Sequence, residues 1–234
     1  MPKAVRKQLL EIEVMSFLKP YIVQYRIPHF PLLYGFGVCQ TSDGNVLHLF
    51  MEQLDSDLKS MRGKLTEDQV KSMLLQVLVA LYLFHQFGLV HEDMHAGNVM
   101  FHRVPKDTCI EYTLPGGRIV IPTYGLFCYI IDYGKVRNVS SASTLDQQDG
   151  MQYDVTQILD KLLRDVARTV AITVTADDGL LVLLATYAKD TLFALDTPSF
   201  HVPYILDIHA KLFPSPPAPP SQPARGLFAK APIK

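Results

Sequence analysis

Apolar residues near the start of the chain fall at Leu9, Leu10, Ile12, Val14, Phe17 and Leu18, with Lys, Arg and Glu between them. That spacing predicts a helix over residues 4–18. Pro20 is expected to end it, because proline lacks the donor that a helix interior uses. The run Ile27-Pro28-His29-Phe30-Pro31 reads as a turn. Two short strands follow, Leu32 to Cys39 and Val46 to Met51, joined by the turn Ser42-Asp43-Gly44-Asn45. Gly35-Phe36-Gly37 lacks the third glycine of a phosphate loop and is read as part of the first strand. From about Glu67 to Phe87 the apolar positions recur at helical spacing but nearly encircle the axis, which predicts a helix buried on all sides. Thr66 with Gln69 forms a capping-box pattern at its start, and Gly88 marks its end.

Short β-type runs come next: Val99 to His102, Ile110 to Leu114, Arg118 to Pro122 and Phe127 to Asp132. Pro115-Gly116-Gly117 supplies a hairpin turn between the middle two. Helices are expected again over Tyr153 to Val170 and Leu180 to Leu195, and residues 214–224 read as a disordered or polyproline tail. There are no internal repeats.

Composition narrows the function classes. A formal charge of -1, with scattered Lys and Arg, gives no case for nucleic-acid or acidic-membrane binding. Cys39, Cys109 and Cys128 form neither a metal-ligand spacing nor a disulfide framework, so all three are expected reduced and buried. No long apolar run follows the basic start, which argues against a signal peptide. The apolar stretch Met73 to Phe84 is broken by Gln76 and too short to span a bilayer. The expectation is a soluble, intracellular protein without a membrane partner.

The chemistry concentrates in His91-Glu92-Asp93-Met94-His95-Ala96-Gly97-Asn98, after the buried helix and before a strand. Asp132 follows at the end of the apolar run Tyr129-Ile130-Ile131, with Tyr133-Gly134 after it. Phosphoryl transfer needs one carboxylate for the acceptor hydroxyl, and oxygen ligands to hold Mg²⁺ on the phosphates. A His-x-Asp-x4-Asn string standing by chance in a surface loop is the plain alternative.

These residues resemble the catalytic loop and the metal-binding triplet of protein kinases. The resemblance implies Asp93 as catalytic base, Asn98 and Asp132 as metal ligands, His91 as a support of the loop, and ATP with Mg²⁺ as cofactors. Leu49-Phe50-Met51-Glu52-Gln53-Leu54 resembles the hinge, where backbone groups near Glu52 and Leu54 would pair with adenine. Glu11 resembles the helix glutamate that pairs with an ATP-contacting lysine, with Glu13 competing for that place. Asp154 resembles the aspartate that anchors the catalytic loop, an N-cap being its plainer reading. His95 has no second His or Cys at ligand spacing. It stands where other kinases place a Lys or Arg near the transferred phosphate, or else is an inert loop histidine.

Within that superfamily the chain is most similar to haspin-type kinases and the serine/threonine kinases of large DNA viruses. They share the histidine at position 95 and a β-insert such as residues 110–122, which the 34 positions between Asn98 and Asp132 accommodate. The implied fold class is α+β, a two-lobe protein-kinase-like fold. A truncated N-lobe would cover residues 1–53, a mainly helical C-lobe 54–213 and the tail 214–234. A viral source would place the chain in the host cell or virion.

The departures are as specific as the matches. A glycine-rich loop and a strand lysine would precede the first helix, yet only Lys3 and Lys7 stand upstream, neither in a strand-like context. The phosphate lid and the Lys–Glu pair are therefore expected from a partner chain completing the N-lobe, or not at all. Glu92 replaces the usual Arg, which speaks against control by a phosphorylated activation loop, and no Ala-Pro-Glu motif appears. Three functions stay open: a serine/threonine kinase acting on a protein substrate, a pseudokinase scaffold, and a small-molecule kinase of aminoglycoside or choline type.

Overall fold

A computed structural model describes residues 3–42, 44–61, 64–158 and 201–214. At its centre lies the helix α2, Glu67–Gln86, whose start is fixed as the sequence predicts. The Thr66 hydroxyl accepts from the Gln69 N–H at 3.2 Å, and the Gln69 carboxamide accepts from the Thr66 N–H at 3.0 Å. Every residue from Ser72 to His85 is buried. Each fully buried Leu or Phe contributes on the order of 1.5–3 kcal/mol, so this helix organises the core. Gln76, the polar break in that apolar run, is fully buried and binds a neighbouring strand. Its amide donates to the Leu126 carbonyl and its oxygen accepts from the Cys128 N–H, at 3.0 and 2.8 Å.

That strand is β8, Leu126–Ile130, which pairs antiparallel with β5, Val99–Arg103; β3, Ser56–Asp57, completes the three-stranded sheet. Between β5 and β8 the chain makes the predicted hairpin of β6, Cys109–Leu114, and β7, Gly117–Pro122. Tyr112 of this hairpin is buried, and its hydroxyl lies 2.6 Å from His29 Nε2, whose Nδ1 lies 2.7 Å from the Cys128 carbonyl.

The first helix, α1, spans Lys3–Tyr25 and continues through Pro20 instead of ending there. Packing overrides the missing donor: beyond the proline, Tyr21 meets Phe87 with ring centroids 4.6 Å apart, and Phe17 meets the same ring edge-on. β1, Leu33–Thr41, and β2, Gly44–Met51, form a separate two-stranded antiparallel sheet. Gly35 and Gly37 lie within β1, as the strand reading of that segment holds. Cys39 is exposed on this hairpin, against the expectation of three buried thiols; Cys128 is buried and Cys109 partly so.

A short pair, β4 (Leu89–Val90) with β9 (Arg137–Asn138), leads to α3, Thr144–Gln157, capped by Ser143. Asp154 therefore lies near the C-terminal end of a described helix, not at a helix start. Residues 159–170, the helix expected over Leu180 to Leu195 and most of the Pro-rich tail lie outside the described residues. The last of the described helices, α4, His201–Leu212, was not anticipated; it buries Ile205 and Ile208, and His209 bonds the Val120 carbonyl at 3.0 Å. The architecture is mixed α+β, and among the described residues no helix is long and apolar enough to cross a membrane.

Candidate functional site

The loop from His91 to Asn98 is held from beneath by a buried carboxylate. Asp154 accepts from the backbone N–H groups of His91 and Glu92, both at 2.7 Å, and lies 3.0 Å from His85 Nε2. Asp154 and His85 are fully buried, and the bond from the Glu92 N–H is partly so. Glu92 has φ of 61°, a strained conformation for a residue of that size. Its backbone carbonyl takes the Gln157 amide at 3.2 Å, and its carboxylate pairs with Arg137 at 2.6 Å.

His91 ties the loop to the next strand. Its Nδ1 accepts from the Asp93 N–H at 3.3 Å, so Nε2 carries the proton and donates to the Ile131 carbonyl at 3.0 Å. Burial depresses the basicity of His91 against the pull of Asp154, Asp132 and Asp93. Tyr133 is buried, stacked on Phe84 and in edge contact with His91, and its hydroxyl donates to the Ile130 carbonyl. These contacts set the backbone that carries Asp132 (φ 63°), a left-handed conformation that aspartate tolerates better than most residues.

Asn98 and Asp132 come together despite their separation in sequence, because β5 and β8 pair and the Ile131 N–H donates to the Asn98 carbonyl at 3.0 Å. The Asn98 amide nitrogen donates to the Asp93 carbonyl at 2.9 Å, so the amide oxygen is the atom that could hold a metal. An amide oxygen beside a carboxylate is a hard donor set that suits Mg²⁺. Among the described residues there is no group of three or more His, Cys, Asp or Glu that could hold a metal ion.

Two lysines answer these carboxylates, and neither was assigned a site role from the sequence. Lys7 of α1 pairs with Asp132 Oδ2 at 2.9 Å. That hydrogen bond raises the Lys7 ammonium above its ordinary range against desolvation, helped by the charges of Asp132, Glu11 and Asp93. Glu11, one turn further along α1, is pushed up chiefly by burial and also by Asp132, while Lys7 pulls it down. Glu13 is exposed, whereas Glu11 is partly buried and feels both Lys7 and Asp132. Lys7 reaches this carboxylate from a helix, not from a strand. A Cβ at Gly134 would run into the Lys7 stem, so this glycine leaves the lysine its path.

Lys135 pairs with Asp93 Oδ2 at 2.9 Å. His95 Nε2 approaches the same oxygen at 3.9 Å, beyond hydrogen-bond reach. Its Nδ1 caps the short 3₁₀ turn Ala96–Asn98 by accepting from the Gly97 N–H at 3.1 Å.

Glu52 and Leu54 stand apart from this cluster, on the link between β2 and β3. The Glu52 N–H is spent on the Leu32 carbonyl at 2.8 Å, so it is not a free donor for a base. Its carboxylate accepts from the Leu32 N–H and the Tyr129 hydroxyl and lies 3.3 Å from His102 Nε2. Those residues line a cavity of about 400 Å³ together with Arg26 and Phe127, and none of the acidic cluster reaches it.

No protein-family model and no curated protein matches the chain. Among solved structures it is similar to one described as the crystal structure of Rad53 kinase domain and SCD2. The two are 16% identical, the match covers 85% of this chain and 75% of that one, and the TM-score is 0.47.

Proposed function

We propose that the chain is a protein-kinase-like phosphotransferase that moves the γ-phosphoryl group of ATP to a serine or threonine hydroxyl of a protein substrate. The observation that carries this reading is the pair of bonds that ties Asp93, Asn98 and Asp132 together: the Asn98 side-chain amide donates to the Asp93 carbonyl, and the Ile131 N–H, next to Asp132, donates to the Asn98 carbonyl. Asp93 takes the proton of the acceptor hydroxyl. The oxygens of Asn98 and Asp132 would hold Mg²⁺, which neutralises the phosphates when bound. Lys7, paired with Asp132 and under the electrostatic pull of Glu11 one turn along the helix, would orient the phosphates. The Glu52 carbonyl and the Leu54 N–H would meet adenine, the Glu52 N–H being already used. The hairpin β6–β7 between Asn98 and Asp132 supports a haspin-like rather than a small-molecule kinase.

The test is phosphotransfer from labelled ATP to mixed protein acceptors by the wild type and by Asp93→Ala. A fall of about 10²-fold or more is expected on loss of the general base, with the unfolding midpoint unchanged. Equal transfer by both proteins would sink the reading.

A second reading, a scaffold that keeps the fold and acts by binding partners, is favoured by the β1–β2 sheet. Tyr34, Phe36, Val38 and Phe50 are exposed there, and the sheet has two strands with no further neighbour among the described residues. A partner strand completing that sheet fits both readings.

A further inference from the structure

We infer that Lys135 is a catalytic residue of this site, the cation that meets the transferred phosphoryl group where it passes from ATP toward Asp93. The inference rests on the phosphotransferase reading given above and deepens it.

The chain places Lys135 deliberately. Tyr133 and Val136 are both buried, and the Val136 N–H donates to the Tyr133 carbonyl, so this turn is clamped to the core on either side of the lysine. Beyond it, Arg137 is held twice, by the β4–β9 pairing and by its ion pair with Glu92. Lys135 is thus the residue of a fixed turn that faces the loop, and its ammonium lies 2.9 Å from Asp93 Oδ2.

The pair itself is not what this geometry stabilises. The Lys135 side chain is 56% exposed, and an ion pair so open to water is held weakly. Its ammonium is therefore free to turn from a single carboxylate oxygen to the denser charge of a phosphate. The other cations nearby sit on other partners. Lys7, assigned above to the phosphates, pairs with Asp132, Arg137 pairs with Glu92, and His95 spends Nδ1 on Gly97 while Nε2 stays beyond bonding distance of Asp93. Lys135 thus lies within hydrogen-bond reach of Asp93, which is where the acceptor must sit.

In the step, the acceptor oxygen bonds to the γ-phosphorus as the bridging oxygen leaves with ADP, and the hydroxyl proton passes to Asp93. Lys135 keeps its protons throughout and offsets charge on the transferred oxygens.

Isothermal titration of the full chain with Mg-ATP and Mg-ADP separates this role from a structural one. Lys135→Met is expected to weaken Mg-ATP binding about ten-fold, the loss of one charge-assisted contact. Mg-ADP, which has no γ-phosphate, should change by less than about two-fold, and Lys135→Arg should retain most of the ATP affinity. Lys135→Gln gives the same comparison if the Met variant does not fold. A variant that binds both nucleotides like the wild type, or loses both equally, overturns the role of Lys135 and leaves the phosphotransferase reading standing. A wild-type chain that binds neither nucleotide overturns both.

Discussion

Asp154 and Asp93 lie on opposite sides of the same loop, and the protein treats them in opposite ways. Asp154 is sealed from water and receives three short donors, two of them backbone N–H groups that cannot move away. Asp93, largely buried, and Asp132, partly exposed, are each met by a half-exposed lysine on a flexible stem. A carboxylate whose partners are all fixed and buried is part of the frame. One whose partner is a half-exposed ammonium can exchange that partner for a ligand. The difference separates groups that build the site from groups that can work in it, and it can be broken by substitution.

The largest effect is expected at the frame. Asp154→Ala leaves two buried N–H groups without an acceptor and should cost about 3–5 kcal/mol in urea unfolding. Asp93→Ala should leave stability nearly unchanged in the same measurement; equal losses at the two positions would erase the distinction.

A smaller effect follows from His29, which belongs to the same buried scaffold. Burial lowers its pKa to about 4, opposed by its bond to the Cys128 carbonyl. The unfolded chain binds this proton below the ordinary value of about 6.5, while the folded chain does not until about 4. His29 therefore leaves stability intact above pH 6.5 and erodes it as pH falls toward 4. Between pH 7 and 5 the loss is about 2 kcal/mol from this group. His29→Gln should flatten that part of the stability profile, and an unchanged slope would remove His29 from the frame.

The smallest effect is expected at the rim. The Glu92–Arg137 pair is partly exposed, so Arg137→Ala should change stability by no more than about 1 kcal/mol. A double-mutant cycle with Glu92→Gln measures the pair directly.

What could be read in advance follows the same division between local and distant. The capping box at Thr66 and Gln69, the Pro115-Gly116 turn and the Asp93–Asn98 spacing each lie within a few residues, where spacing and geometry are nearly the same thing. The pairing of Lys7 with Asp132 joins positions 125 apart and depends on how α1 lies against the end of β8. No pattern along the chain contains that. The course of α1 through Pro20 was hidden for the same reason, since its support comes from Phe87. Two misses were legible: Ser143 with Asp146 is a capping signal for α3, and Ile205, Ile208 and Leu212 carry the helical spacing of α4.

The β6–β7 hairpin also bears on the order in which the chain can fold. Joining β5 to β8 means closing a long stretch of chain, and the entropy of closure rises only logarithmically with its length. A hairpin with a two-residue turn forms from neighbours alone and within microseconds. Once Leu114 has met Gly117, the span left to close shrinks to the short connectors on either side, residues 104–108 and 123–125. The insert that drives Asn98 and Asp132 apart in sequence thus carries its own shortcut for bringing them back together.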